Sequence, residues 1–252
     1  MIDISTPHFI KLLQLIGNQH IQLYTEMYHC GAIINMYKNN TLNFLLNTDK
    51  NLKNNNNNNI IIQLGGSDKD LLSQACKIIT NLNYYQGINL NLGCPSTAVQ
   101  AGCFGAMLMK DSDKVIQLIN SMEQSVEDKL PITIKCRLGV DDLDSEEFIF
   151  NFVDKVTKGT DIKEIVVHAR KCLLKGLSPK KNRTIPPLNY ERVYKLAERF
   201  KNIKFSLNGG VKTIEDIKGH LSKYENLNGV MLGRKILDEP YFLRAIATEF
   251  YS

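Results

Sequence analysis

Ile60-Ile61-Ile62-Gln63-Leu64-Gly65-Gly66 is a short, β-branched apolar run stopped by two glycines. A strand buried on both faces reads this way, because neither face needs polar residues and glycine lets the chain leave the sheet sharply. The pattern recurs at Ile88-Asn89-Leu90-Asn91-Leu92-Gly93, Ile132 to Gly139, Ile165 to Arg170, Ile203 to Gly210 and Val230 to Arg234. With Gln22 to Glu26 counted as one more, seven strands are expected. Between them lie amphipathic stretches, Asp68 to Leu82, Ser112 to Val126, Ser145 to Val156 and Tyr190 to Phe200, with apolar residues at helical spacing. Strands alternating with helices imply parallel βαβ units. The expected fold is therefore α/β, a (β/α)8 TIM barrel one strand short of eight. An open doubly wound sheet is the alternative. Against it, no GxGxxG follows the first strand, and polar residues cluster at strand C-terminal ends, where a barrel places its active site.

The 252 residues are 43% hydrophobic and 23% charged, the composition of a folded protein rather than a disordered or fibrous one. One domain spanning residues 1–252 is expected, with Asn54 to Asn59 a polar, low-complexity loop tip. No run of 18 apolar residues exists, and the start lacks the basic and apolar regions of a secretory signal. A membrane protein is not expected, and the cytoplasm is the expected compartment, an organelle the alternative. The six cysteines contain no CxxC pair, so reduced thiols are expected and a structural metal is not. The net charge of +5 is unevenly placed. Residues 163–204 hold twelve Lys and Arg against three Glu, which makes that segment +9 and the remainder −4.

Listed by strand end, the polar residues run Glu26, Gln63, Asn91 with Cys94, Lys135 with Arg137, His168 with Arg170, Asn208-Gly209-Gly210 and Gly233-Arg234. The last two motifs suit a phosphate group, because loops after the final barrel strands often present backbone N–H groups to an anion. Arg234 adds a bidentate cation. A phosphate-bearing cofactor held there would lie across the barrel mouth, where Gln63 and Lys135 could meet the polar edge of its ring. Cys94, in a loop fixed by Pro95, could donate a proton or attack an electrophile. Cys30, Cys76, Cys136 and Cys172 read as packed thiols, while Cys103 stays open between the two. The segment from Ala169 to Pro187 carries Arg170, Lys171, Lys175, Lys180, Lys181 and Arg183, too long and too basic for a plain connection. At the rim of a site it suits RNA or another phosphate-rich substrate.

Asn91-Leu92-Gly93-Cys94-Pro95-Ser96, Val99-Gln100-Ala101-Gly102-Cys103-Phe104-Gly105-Ala106, and His168-Ala169-Arg170-Lys171 through Gly176-Leu177-Ser178-Pro179-Lys180 to Asn182-Arg183 are jointly distinctive. Together they closely resemble the flavin-dependent tRNA-dihydrouridine synthases, A-type branch. Tyr24-Thr25-Glu26-Met27 and Gln63-Leu64-Gly65-Gly66 extend the likeness to nearly the whole chain. The resemblance implies an FMN-bearing barrel, reduced by NADPH, that converts D-loop uridines of tRNA to dihydrouridine, with Cys94 as the proton donor. By motif position it implies FMN contacts from Gln63, Lys135, His168, Asn208, Gly209, Gly210, Gly233 and Arg234. It further implies a uracil contact from Asn91 and tRNA contacts from Lys180 and Arg183, joined by Arg170. The partner is tRNA, and the enzyme is expected to be a monomer.

Relative to that family, Ile2-Asp3-Ile4-Ser5-Thr6 stands where a first strand ending in Ala-Pro-Met is expected. The family's C-terminal helical domain is likewise expected to be lacking, since the sequence stops at Ser252. Two alternatives follow: a non-catalytic tRNA-binding form of the family, and a flavin-dependent reductase of free pyrimidines.

Overall fold

A computed structural model describes residues 1–42, 59–225 and 227–251. The seven expected strands all form: β1 (Leu23–His29), β2 (Ile60–Gly65), β3 (Gly87–Leu92), β4 (Ile132–Arg137), β5 (Glu164–His168), β6 (Lys204–Asn208) and β7 (Leu227–Met231). They lie in a single sheet in strict sequence order, β1 to β7. The pairings of β1 with β2, β4 with β5, β5 with β6 and β6 with β7 are parallel. A doubly wound sheet reverses direction at a switch point, which leaves its first strand in the interior of the order. No reversal occurs here, so the strand order is that of a (β/α) barrel.

Helices follow the strands: α1 (Pro7–Ile16) precedes β1, then α2 (Cys30–Lys38), α3 (Lys69–Asn81), α4 (Thr97–Ala101), α5 (Ser112–Val126), α6 (Glu146–Gly159), α7 (Tyr190–Arg199), α8 (Ile214–Leu221), α9 (Arg234–Asp238) and α10 (Phe242–Tyr251). Their starts are set by side chains that satisfy the first free backbone N–H groups. Ser145 Oγ accepts from Phe148 N at 3.0 Å, Asn189 Oδ1 from Arg192 N at 3.0 Å and Asp68 Oδ1 from Leu71 N at 2.9 Å. Thr213 and Asp216 form a reciprocal capping box on α8. Among the described residues no helix is long and apolar enough to cross a membrane.

The chain clusters into two compact units. One comprises Met1–Asn89, Ser121–Ile132 and Gly233–Ser252. Its core sets Ile60, Ile62 and Leu64 of β2 with Ile33 of α2 and Leu72, Ala75 and Ile79 of α3, all nearly inaccessible. The other comprises Leu90–Asn120 and Thr133–Leu232, where Ile134, Val166, Val167, Phe205 and Leu207 from three adjacent strands are fully buried. Tight burial on both strand faces is what the continuous apolar runs encode.

Three expectations change in detail. β7, expected at Val230 to Arg234, runs Leu227–Met231, so Gly233 and Arg234 lie beyond its end. β1 runs to His29, so Glu26 lies within the strand, next to an irregularity between Tyr24 and Met27. Of the asparagine run, residues 54–58 lie outside the described residues. Asn59, expected to share their loop tip, is only 5% exposed. Its Nδ2 donates to Asn18 O at 3.1 Å and to Ile21 O, and its own carbonyl accepts from Leu23 N at 2.8 Å, which seats the start of β1.

Candidate active site

Cys94 sits just past β3, in a loop closed by Asn91. The Asn91 Oδ1 accepts from Gly93 N at 3.0 Å and from Cys94 N at 2.9 Å. The Cys94 thiol is half-buried and donates to Ser96 Oγ at 3.6 Å, while Ser96 also caps α4. All three carbonyls around the thiol are held. Gly93 O accepts from Arg137 Nε at 3.2 Å, Cys94 O from Ala106 N at 3.0 Å and Pro95 O from Gln100 Nε2 at 2.9 Å. Gly105 has φ +70°, and a Cβ there would lie 2.6 Å from Cys94 O, so only glycine permits this approach. Cys30, Cys76, Cys136 and Cys172 are buried as expected, and Cys103 is exposed, in the left-handed region at φ +54°.

Lys135 and Arg137 stand two residues apart on β4 and so share a face. Lys135 is half-buried and makes no hydrogen bond or ion pair among the described residues. Burial, with the neighbouring Arg137 charge, pushes its ammonium down to about 8. Cys94 lies within electrostatic range of both cations. Arg137 is 4% exposed and is pushed down to about 10 by burial, with a smaller effect from the Arg183 and Arg170 charges. Its NH1 donates to Asn182 O at 2.9 Å and Lys171 O at 3.4 Å. A half-buried cation with no internal anion can receive an external one.

At the ends of β5 and β6, the buried His168 ring faces Gly209. A Cβ at Gly209 would sit 2.7 Å from His168 Cδ2, and the φ values of Gly209 and Gly210, +118° and +78°, lie where side chains are strained. Tyr190 OH donates to Gly209 O at 2.8 Å and fixes this bare backbone. Asn208 Nδ2 donates to Met231 O at 2.8 Å, tying β6 to β7.

The segment between β5 and α7 is held from within. Asn182 is wholly buried; its Oδ1 accepts from Leu173 N at 2.8 Å and its Nδ2 donates to Leu173 O at 2.9 Å and Leu177 O at 3.2 Å. Arg170, expected at the RNA surface, is 8% exposed, and its NH1 donates inward to Thr184 O at 3.3 Å and to Pro186 O. Its described contacts shape the segment. Lys175, Lys180 and Lys181 are exposed and Arg183 is half-buried, so the segment presents cations outward.

The remaining expected residues belong to the other unit. Gln63 Nε2 donates to Asn89 Oδ1 at 2.8 Å, and Gln63 N donates to Thr25 Oγ1 at 3.1 Å. Glu26 accepts from Asp3 N at 2.8 Å and Tyr28 OH at 3.3 Å and acts as a brace. Gly233 precedes α9, of which Arg234 is the first residue; its φ of −128° does not demand glycine, and a Cβ there would meet Met1 Sδ at an ordinary 3.8 Å. Gln100, Arg137 and Asn182 were not singled out from sequence as loop-holding residues, because each acts on main-chain carbonyls, which every residue type offers alike. Among the described residues no cluster of His, Cys, Asp and Glu could hold a metal.

The family model for dihydrouridine synthase matches residues 1–251. The chain is 44% identical over 243 residues to a tRNA-dihydrouridine(20/20a) synthase of Pasteurella multocida, covering 96% of this chain and 69% of that protein. It is 41% identical over 251 residues to the protein of the same name from Haemophilus ducreyi, covering 100% and 72%. Among solved structures it is similar to DHODH of Eimeria tenella, determined in complex with ferulenol, with a TM-score of 0.55 at 11% identity. That match covers 82% of this chain and 65% of the solved one, and it speaks for the fold alone.

Proposed function

The chain belongs to the dihydrouridine synthase family, and from that premise we propose that it reduces D-loop uridines of tRNA to dihydrouridine, with FMN as its flavin and NADPH as reductant. What supports this reading is that one compact unit contains the fixed Cys94 loop, the Lys135 ammonium within electrostatic range of that thiol, and the left-handed Gly209-Gly210 backbone. The residues present fit a flavin phosphate and ring: a half-buried cation without an internal anion, and a glycine pair whose left-handed backbone carries no side chain beside the buried His168. Lys135, His168, Asn208, Gly209 and Gly210 would hold it, with Gln63, Gly233 and Arg234 assigned by their motif positions. Bound flavin supplies hydride to one carbon of the uracil C5–C6 double bond.

The chain's own residues do the rest. Cys94 gives its proton to C5 from the face opposite the hydride, so that charge building on the ring is quenched as it forms. Lys135 places positive charge near that developing anion. Asn91 uses its Oδ1 to hold the loop, so its contact with uracil is through the amide nitrogen. The exposed Lys180 and half-buried Arg183 neutralise tRNA phosphates, while Arg170 holds the segment that displays them. The uridine must leave its stack to reach the thiol. The protein acts as a monomer in the cytoplasm.

The test is an absorption spectrum of purified protein together with dihydrouridine mapping on tRNA incubated with NADPH, for the parent and Cys94→Ala. The parent should be yellow and active, and the variant yellow and largely inactive. Full activity in Cys94→Ala would remove the assignment of the thiol. Colourless folded protein that still binds tRNA would identify a non-catalytic binder, and activity on free uracil without tRNA binding would identify a pyrimidine reductase.

A further inference from the structure

The side-chain amide of Gln100 makes two hydrogen bonds from one nitrogen. Nε2 donates to Pro95 O at 2.9 Å, the residue after Cys94, and to Leu174 O at 2.8 Å, seventy-four positions away in the basic segment. Arg137 makes a matching bridge on the other side of the thiol, from Gly93 O to Asn182 O. The carbonyls on both sides of Cys94 are thus joined through side chains to the segment that displays Lys180 and Arg183. The start of α4 is capped by Ser96 without either bridge.

Resting on the assignment of Cys94 as the acid and residues 169–187 as the RNA-contacting segment, we infer that Gln100 is a positioning residue: it fixes the Cys94 thiol relative to the surface that receives the RNA. An amide donates both bonds at once and leaves the strut uncharged. A proton donor displaced by a fraction of an ångström loses rate steeply, whereas phosphate contacts tolerate such a shift. Loss of the strut therefore separates chemistry from binding. Arg137 is the harder residue to test, since truncating a buried cation threatens the fold.

The experiment compares flavin-loaded parent, Gln100→Met and Gln100→Glu. Methionine keeps the length and removes both donors, and glutamate sets carboxylate oxygens against two carbonyls. The single-turnover rate at saturating tRNA should fall about tenfold in Gln100→Met and further in Gln100→Glu. The tRNA dissociation constant and flavin content should change less than about threefold. Iodoacetamide alkylation of Cys94, read peptide by peptide by mass spectrometry without RNA, should accelerate severalfold as the loop is released. A merely structural role would instead lower flavin content and melting temperature together. Unchanged alkylation of Cys94 in both variants overturns the inference, whatever the activities. Full activity of Cys94→Ala would overturn only the acid assignment, leaving alkylation to decide whether the strut exists.

Discussion

Replacing Lys135 by methionine removes the half-buried ammonium of β4 while keeping the length and apolar stem of the side chain. That ammonium, ordinarily near 10.5, is pushed down to about 8 by burial and by the Arg137 charge. At pH 7 the lysine is charged in both the folded and the unfolded chain, so the folded state bears the whole cost of partly dehydrating it. At ~1.4 kcal/mol for each tenfold change in proton affinity, that cost is about 3 kcal/mol, and roughly 2 kcal/mol once solvent access to the half-buried group is allowed for. Flavin-stripped Lys135→Met should therefore be more stable than the parent by about 2 kcal/mol at pH 7, a rise of roughly 4–8 °C in melting temperature for a chain of this size. The difference should be full below the folded value of about 8. It should shrink as pH rises toward the ordinary 10.5, because the native lysine sheds its proton there while the unfolded one still holds it. Thermal unfolding of stripped protein from about pH 6 to about pH 10 reads both effects. A less stable variant, or a stability gap indifferent to pH, would refute the reasoning. The same substitution should weaken flavin retention, since the cation that strains the empty protein is the one proposed to receive the cofactor.

Gly209→Ala should lower stability by about 3 kcal/mol in denaturant titration and reduce bound flavin, because φ +118° is strained for any side chain and the new Cβ meets His168. Lys180→Ala with Arg183→Ala should flatten the dependence of log affinity for tRNA on log salt by about 1.5, measured by filter binding; an unchanged slope would make these residues merely solvated. Asn182→Ala removes an amide that ties Leu173 and Leu177 together inside the basic segment. Trypsin should then cleave at Lys175 and Lys180 severalfold faster, with tRNA binding weakened.

β2, β3, β4 and β5 were legible because apolar, β-branched runs ending at glycine or a polar residue have few other folds open to them. β1 was read only in part. Leu23-Tyr24-Thr25-Glu26-Met27-Tyr28-His29 has no clean alternation, and Thr25 is buried because its hydroxyl serves Gln63 N and Glu26 O, a need fixed by tertiary contacts. α1 and α8 went unread although their signals were present: Thr6-Pro7 is a cap followed by a first-turn proline, and Thr213 with Asp216 spells a capping box. In the site, residue types foretold what Cys94, Lys135 and the glycine pair would offer. They could not foretell that Arg170 and Arg137 turn inward, since a guanidinium at a strand end looks the same whether it meets phosphate or a buried carbonyl. Only long-range carbonyl partners, invisible in one dimension, separate the two.

Those inward arginines, with Asn182, divide the labour of the segment after β5 in a way that bears on how it could change. Its path is set by three buried side chains gripping main-chain oxygens, and much of its charge by the exposed Lys175, Lys180 and Lys181. Shape and charge are therefore encoded separately. Surface lysines can be exchanged, moved or removed without refolding the segment, so the surface proposed to meet RNA can be rewritten while the backbone that displays it, and the thiol loop joined to it, stay in place.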